Sequence, residues 1–173
     1  MNPKIWGHVM WSYLINLVLH YPDNFTAQHS HQFELLLGQL YYVLPCKSCR
    51  ENYAKYFKFN PPNLTSKQSI LIWLCSLYNN IGNKSYTLYE FVNKGADYNK
   101  KYFWDMLKYI IHDYPDSNSH VTYDIQMQYR QFFTYLFDMT PMRYIKLIPL
   151  NKFLFSRHTL EIWYVMMKEN ASQ

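Results

Sequence analysis

Glycine is scarce in this sequence, with four in 173 residues. It is the residue that lets a backbone take positive φ or close tightly around a phosphate. Phosphate-cradling loops and β-sandwich turns therefore lose their usual material, and helices are favoured. Neither G-x-G-x-x-G nor a P-loop pattern occurs, so the dinucleotide and NTPase readings that rest on them are excluded. Cysteine is scarcer still, at three, too few for a disulfide-scaffold miniprotein. Long apolar runs are also missing: the nearest, YLINLVLHY at 13–21, is about half of the roughly 18 residues of a membrane span. No membrane span is expected. The opening MNPKIWGH has no basic run leading into an apolar one, which predicts no secretory signal. These absences fit a protein made in the cytosol, where a CxxC pair is more often catalytic or metal-binding than structural.

What is present is apolar and aromatic. Apolar residues make up 49% and aromatic ones 20%, enough for a real core. The net charge of +5 comes from scattered lysines and arginines, which reads as a mildly basic solvated surface rather than a nucleic-acid face. Apolar residues at helical spacing, Trp11, Leu14, Ile15 and Val18, predict a first helix from Ile5 to His20, ended by YPDNF. Thr26 is placed to cap a second helix reaching Leu44, with Phe33, Leu36, Leu37, Leu40 and Val43 or Leu44 as its buried stripe. Pro45 suits the first turn of a third helix over about 46–57. After the break NPPNLTS, Ser66 caps a fourth helix, and a short fifth follows from Leu88 to Asn93. The expected fold is all-α: a four-helix bundle with a short fifth helix and a C-terminal extension. Residues 1–98 are expected to form the bundle and 99–173 the extension, with helices at Ile125–Asp138 and Thr159–Lys168. MRYIKLIPLNKFLF between those two reads as a strand pair or an irregular loop.

The stretch LPCKSCRENYAKYF, 44–57, holds Cys46 and Cys49. Zinc needs four ligands, and this chain offers one CxxC, a lone Cys75 and an H-x-H at His29 and His31, without a second CxxC at finger spacing. A static disulfide across two residues closes too small a loop to constrain the chain. A redox pair suits the local physics better. At the start of a helix, free backbone N–H groups and the positive dipole end stabilise a thiolate, and Lys47 and Arg50 add positive charge. Such a pair exchanges readily.

Three stretches together, WGHVMWSYLINLVLHYP (6–22), LPCKSC (44–49) and WLCSLYNN (73–80), resemble the Erv/ALR family of FAD-dependent sulfhydryl oxidases, most of all its poxviral and other large-DNA-virus members. The family pattern runs W-G-x-x-x-W-x-x-L-H-x-x-A-x-x-Y-P, then P-C-x-x-C, then W-x-C-x-x-H-N-x-V-N. The resemblance covers roughly residues 1–95. It implies a thiol oxidase that converts protein dithiols to disulfides, with FAD as cofactor, O2 as acceptor and hydrogen peroxide as product. Cys49 matches the sulfur lying against the flavin, and Cys46 the outer sulfur attacked by a substrate thiolate. Gly7, His8, Trp11, Ile15, Tyr21, Cys75, Tyr78, Asn79, Gly82 and Lys84 match the family's flavin-binding positions. A homodimer, a small CxxC or thioredoxin-like protein as substrate, and a place in the host cytoplasm or the virion are likewise implied.

The chain departs from the pattern in places. Ile15 stands where the family has histidine, Tyr78 where it has the histidine of H-N, and Gly82 where it has the second asparagine. Cys75 matches the first cysteine of a C-x16-C disulfide whose second position is Val92 here, which leaves it a buried free thiol. Trp73 reads as core. With no cysteine beyond these three, substrate thiols are expected to reach Cys46 directly. The competing reading is a helical interaction module that keeps the fold without flavin.

Overall fold

The computed structural model describes residues 2–95, 100–116, 120–140 and 148–171. Within them lie eight α-helices and no strand. In order these are α1 (Pro3–Leu19), α2 (Ala27–Val43), α3 (Lys47–Phe59), α4 (Lys67–Gly82), α5 (Leu88–Asn93), α6 (Lys100–His112), α7 (Tyr123–Met139) and α8 (Arg157–Asn170).

Their ends follow from capping chemistry. Asn2 accepts from the Lys4 amide ahead of Pro3, which fills a first-turn position where a missing N–H costs nothing. Thr26 and Ser66 cap α2 and α4 as expected. Each also donates its own amide to the side chain of its third helical residue, His29 and Ser69 respectively. Cys46 itself is the cap of α3, so Pro45 lies one residue before the cap rather than in the first turn. Asn83 ends α4 in the left-handed region at φ 47°, a conformation asparagine tolerates better than most side chains.

Helix α1 is buried all round over Ser12–Val18, the mark of a central helix. The physical reason lies in the extension. Helix α4 packs on one side of α1 and α6 on another, while α2 packs against both α3 and α7. The stripe of α2 is the expected one, with both Val43 and Leu44 buried. Helix α6 sends Phe103, Met106, Leu107, Ile110 and Ile111 into the core. Phe103 meets the Tyr13 ring at 5.8 Å, and Tyr13 is also tied by its hydroxyl to Thr140 at the end of α7, 2.7 Å away. Helix α8 closes over α6 through Trp163 and Leu160, with Trp163 against Phe133 of α7 at 5.2 Å. One hydrophobic cluster therefore runs through the bundle and the extension alike. Trp73 is core, its indole N–H donated to the Asn60 carbonyl at 2.7 Å.

Of the stretch between α7 and α8, residues 141–147 fall outside the described part. The remainder, 148–155, is no strand but a loop with a short 3-10 turn at Leu150–Lys152.

Candidate functional site

The bundle end formed by the start of α1, the start of α3 and the end of α4 encloses a cavity of about 790 Å³. Helix α1 contributes Trp6, Gly7, His8 and Trp11, α3 contributes Ser48, Cys49 and Asn52, and α4 contributes Tyr78 and Gly82. Lys84 and Lys94 close it from beyond α4 and α5, and Tyr102 reaches it from α6.

Cys46 and Cys49 form a disulfide at the start of α3. The Cys49 amide donates to Cys46 Sγ at 3.1 Å, and the Ser48 hydroxyl lies 3.5 Å from the same sulfur. A helix-start N–H with no partner inside the helix is thus satisfied by Cys46. The two sulfurs differ in surroundings: Cys49 lines the cavity, whereas Cys46 does not and keeps only 7% of its surface. The charges expected to bias the pair are less free than the sequence indicates. Lys47 extends into solvent beside Glu51, and Arg50 is paired with Asp113 at the end of α6.

Gly7, His8, Trp11, Tyr78, Gly82 and Lys84 come together on the cavity wall with Cys49. Trp11 and Tyr78 meet edge to face at 5.1 Å, and Phe91 packs behind both. Lys84 lies over the Tyr78 ring at 4.5 Å and donates to its hydroxyl at 2.9 Å. A methyl on Gly7 would meet nothing within 4 Å, because the residue faces open cavity.

The other four stand elsewhere. Ile15 has no exposed surface and lies beneath Gly95, whose missing side chain is what allows that approach. Tyr21 sits at the far end of α1, about 20 Å from Gly7 at 1.5 Å per residue. There it packs on Phe33 at 4.7 Å and donates to Gln32. Burial and the Asp138 carboxylate push its phenol up to about 12. Asn79 turns away from the cavity and clamps the following loop, its side chain accepting from the Tyr86 amide and donating to the Tyr86 carbonyl. Through that loop it places Lys84 and Tyr86. Cys75 is a buried free thiol against the Tyr86 carbonyl at 3.6 Å, its pKa raised by burial.

Several wall residues carry no assignment from sequence, Trp6, Lys94 and Tyr102 among them. Trp6 is a motif residue whose buried indole N–H has no partner among the described residues. Lys94 extends over Tyr86 at 4.4 Å. Tyr102, meeting His8 at 6.1 Å, comes from the extension, where no motif marks it. Among the described residues no three His, Cys, Asp or Glu side chains converge as a metal site would require. No described helix is long and apolar enough to cross a membrane.

Compared with known families, the Erv1 / Alr family matches residues 8–94. A probable FAD-linked sulfhydryl oxidase of Acanthamoeba polyphaga mimivirus is 30% identical over 82 residues, 46% of this chain and 57% of that protein. A mitochondrial FAD-linked sulfhydryl oxidase of Saccharomyces cerevisiae is 26% identical over 78 residues, 45% of this chain and 41% of its own length. One from Arabidopsis thaliana is 27% identical over 75 residues, covering 43% and 39%. The chain thus spans about half the length of the curated relatives it matches. No solved structure matches it.

Proposed function

The chain belongs to the Erv1 / Alr family, and from that premise we propose that it is an FAD-dependent thiol oxidase working through Cys46 and Cys49. The net reaction is two thiols plus O2 giving one disulfide plus hydrogen peroxide. The observation that carries the proposal is the placement of one sulfur of the pair, and only one, on the wall of an aromatic, basic cavity.

The residues present fit FAD. The volume lies within the roughly 300–1,000 Å³ of cofactor sites. Trp11 and Tyr78 offer ring surfaces, Gly7 leaves room for close approach, and the Trp6 N–H, without an acceptor among the described residues, could donate to a flavin ring. Lys84 and Lys94 provide cations for a pyrophosphate. When bound, FAD supplies a two-electron acceptor that O2 reoxidises.

The protein's own part is thiol–disulfide exchange. A substrate thiolate bonds to Cys46 Sγ, the Cys46–Cys49 bond breaks, and Cys49 leaves as a thiolate facing the cavity. A second substrate thiolate then bonds to the first substrate sulfur and releases Cys46. That thiolate is held by the Cys49 amide and the positive end of α3. Because Cys46 is largely covered, a substrate with an exposed, flexible dithiol suits it better than a rigid one, consistent with a small CxxC or thioredoxin-like protein. We also propose residues 1–98 as the cofactor-binding unit, and disulfide formation in a host cytoplasm or virion as the setting. A homodimer would use faces other than those of α1 and α2 already covered by α6 and α7.

The test is a visible spectrum of purified protein before and after anaerobic addition of dithiol. A flavin band that bleaches and returns with air is the expected result. Colourless protein that stays apo when FAD is added would end the oxidase reading.

A further inference from the structure

Outside the cavity, the disulfide has a second neighbour, and it comes from the extension. Arg50, the residue after Cys49, donates one guanidinium nitrogen to the Leu44 carbonyl at 2.6 Å and to Asp113 Oδ2. The same Leu44 carbonyl accepts from the Cys46 amide at 2.7 Å. The guanidinium and the Cys46 backbone therefore share one acceptor, which sets the cation beside the redox pair. Arg50 and Asp113 are 27% and 23% exposed, so water screens them only in part. Asp113 is fixed in turn. Its neighbour Tyr114 packs on Tyr129 of α7 at 4.6 Å, donates its hydroxyl to the Leu154 carbonyl and accepts from Arg157 of α8. Arg157 is itself paired with Asp116.

We infer that Asp113 is a positioning residue of the Cys46–Cys49 pair, through which the extension sets the balance between dithiol and disulfide. This rests on the redox role proposed above. A cation beside two thiols favours their thiolates and so the reduced form. By neutralising Arg50 where it sits beside Cys46, Asp113 holds the pair toward the disulfide. Removing that carboxylate leaves the Arg50 charge uncompensated and shifts the pair toward dithiol.

The experiment equilibrates full-length protein with glutathione buffers under nitrogen and counts thiols by alkylation and mass. In this exchange two glutathione thiols give up two electrons and two protons to the pair, one S–S bond breaking and one forming in glutathione disulfide. Asp113→Asn is expected to move the equilibrium about threefold toward dithiol, the size of a part-screened charge interaction, or roughly 14 mV. Arg50→Gln should move it the other way, and Asp113→Glu, which keeps the carboxylate, should restore the starting ratio. An unchanged ratio in Asp113→Asn and Arg50→Gln, with only thermal stability lowered, overturns the proposal, as does a shift of either in the opposite direction. Because the readout needs neither flavin nor oxygen, it stands apart from the oxidase test. Protein that stays apo when FAD is added and still shows the expected shift would end the oxidase reading and leave this one.

Discussion

A disulfide exchange relay works only if both sulfurs are present, so Cys46→Ser and Cys49→Ser should each lower turnover at least about a hundredfold. The double variant should be no worse than either, because groups that act as a unit do not add. Oxygen uptake with a dithiol substrate measures all three, and a single variant that keeps turning over would end the scheme. Tyr21 gives a prediction in pH. Its folded value of about 12 lies above the ordinary 10.0, so its contribution to stability is complete below about pH 10 and is lost as pH rises toward about 12. Tyr21→Phe should remove one tyrosinate step at that alkaline edge and narrow the loss of stability there, read by absorbance titration and thermal melts. At this scale motif and charge pick out residues that the fold gathers: Cys49, Trp11, Tyr78 and Lys84 meet on one cavity wall. Asn79 and Ile15 show the limit: each keeps a motif position on its helix, yet α4 turns the Asn79 amide to the Tyr86 backbone and Gly95 covers Ile15. Tyr102 was invisible because it faces the site only once α6 has docked on α1.

Helices were legible where capping residues and apolar spacing agreed. Thr26, Ser66 and Leu88–Asn93 marked ends that the structure reproduces, because local hydrogen bonds decide them. Helix α6 was not named, although Phe103, Met106, Leu107 and Ile110 recur at three- and four-residue spacing, since tyrosines and lysines between them dilute the pattern. How α5 joins α1 depends on backbone contact rather than periodicity. Ser12 donates to the Lys94 carbonyl and Asn16 to the Gly95 carbonyl. A methyl at Gly95 would stand 2.5 Å from Ile15 Cγ2. Gly95→Ala should therefore cost about 1–3 kcal/mol and swing Lys94 away from the cavity. Chemical denaturation measures the first effect and flavin affinity the second. An unchanged midpoint would mean α5 is free to shift.

At the scale of the molecule, the bundle borrows its walls. With α6 on α1 and α7 on α2, cutting the chain after residue 98 would bare Tyr13 and the part of α2 that α7 covers to water. The bundle alone is expected to aggregate or melt well below the full chain, seen by light scattering and circular dichroism. A monomeric, flavin-binding 1–98 fragment would show instead that the bundle stands alone. No local signal in the sequence announces this dependence, because both faces of α1 are apolar whichever partner covers them.

That borrowing also has an order in time. Helices α1 and α2 leave the ribosome well before α7, which covers α2 and begins only at Tyr123. With roughly 80 residues still to be made at about 5–20 residues per second, the first two helices wait on the order of 4–16 s for their partners. During that wait Cys46 and Cys49 emerge as separate thiols, open to any oxidant or chaperone. The contact between Arg50 and Asp113 beside this pair thus waits on synthesis of α6, and a ribosome stalled before Asp113 would hold the two thiols without it.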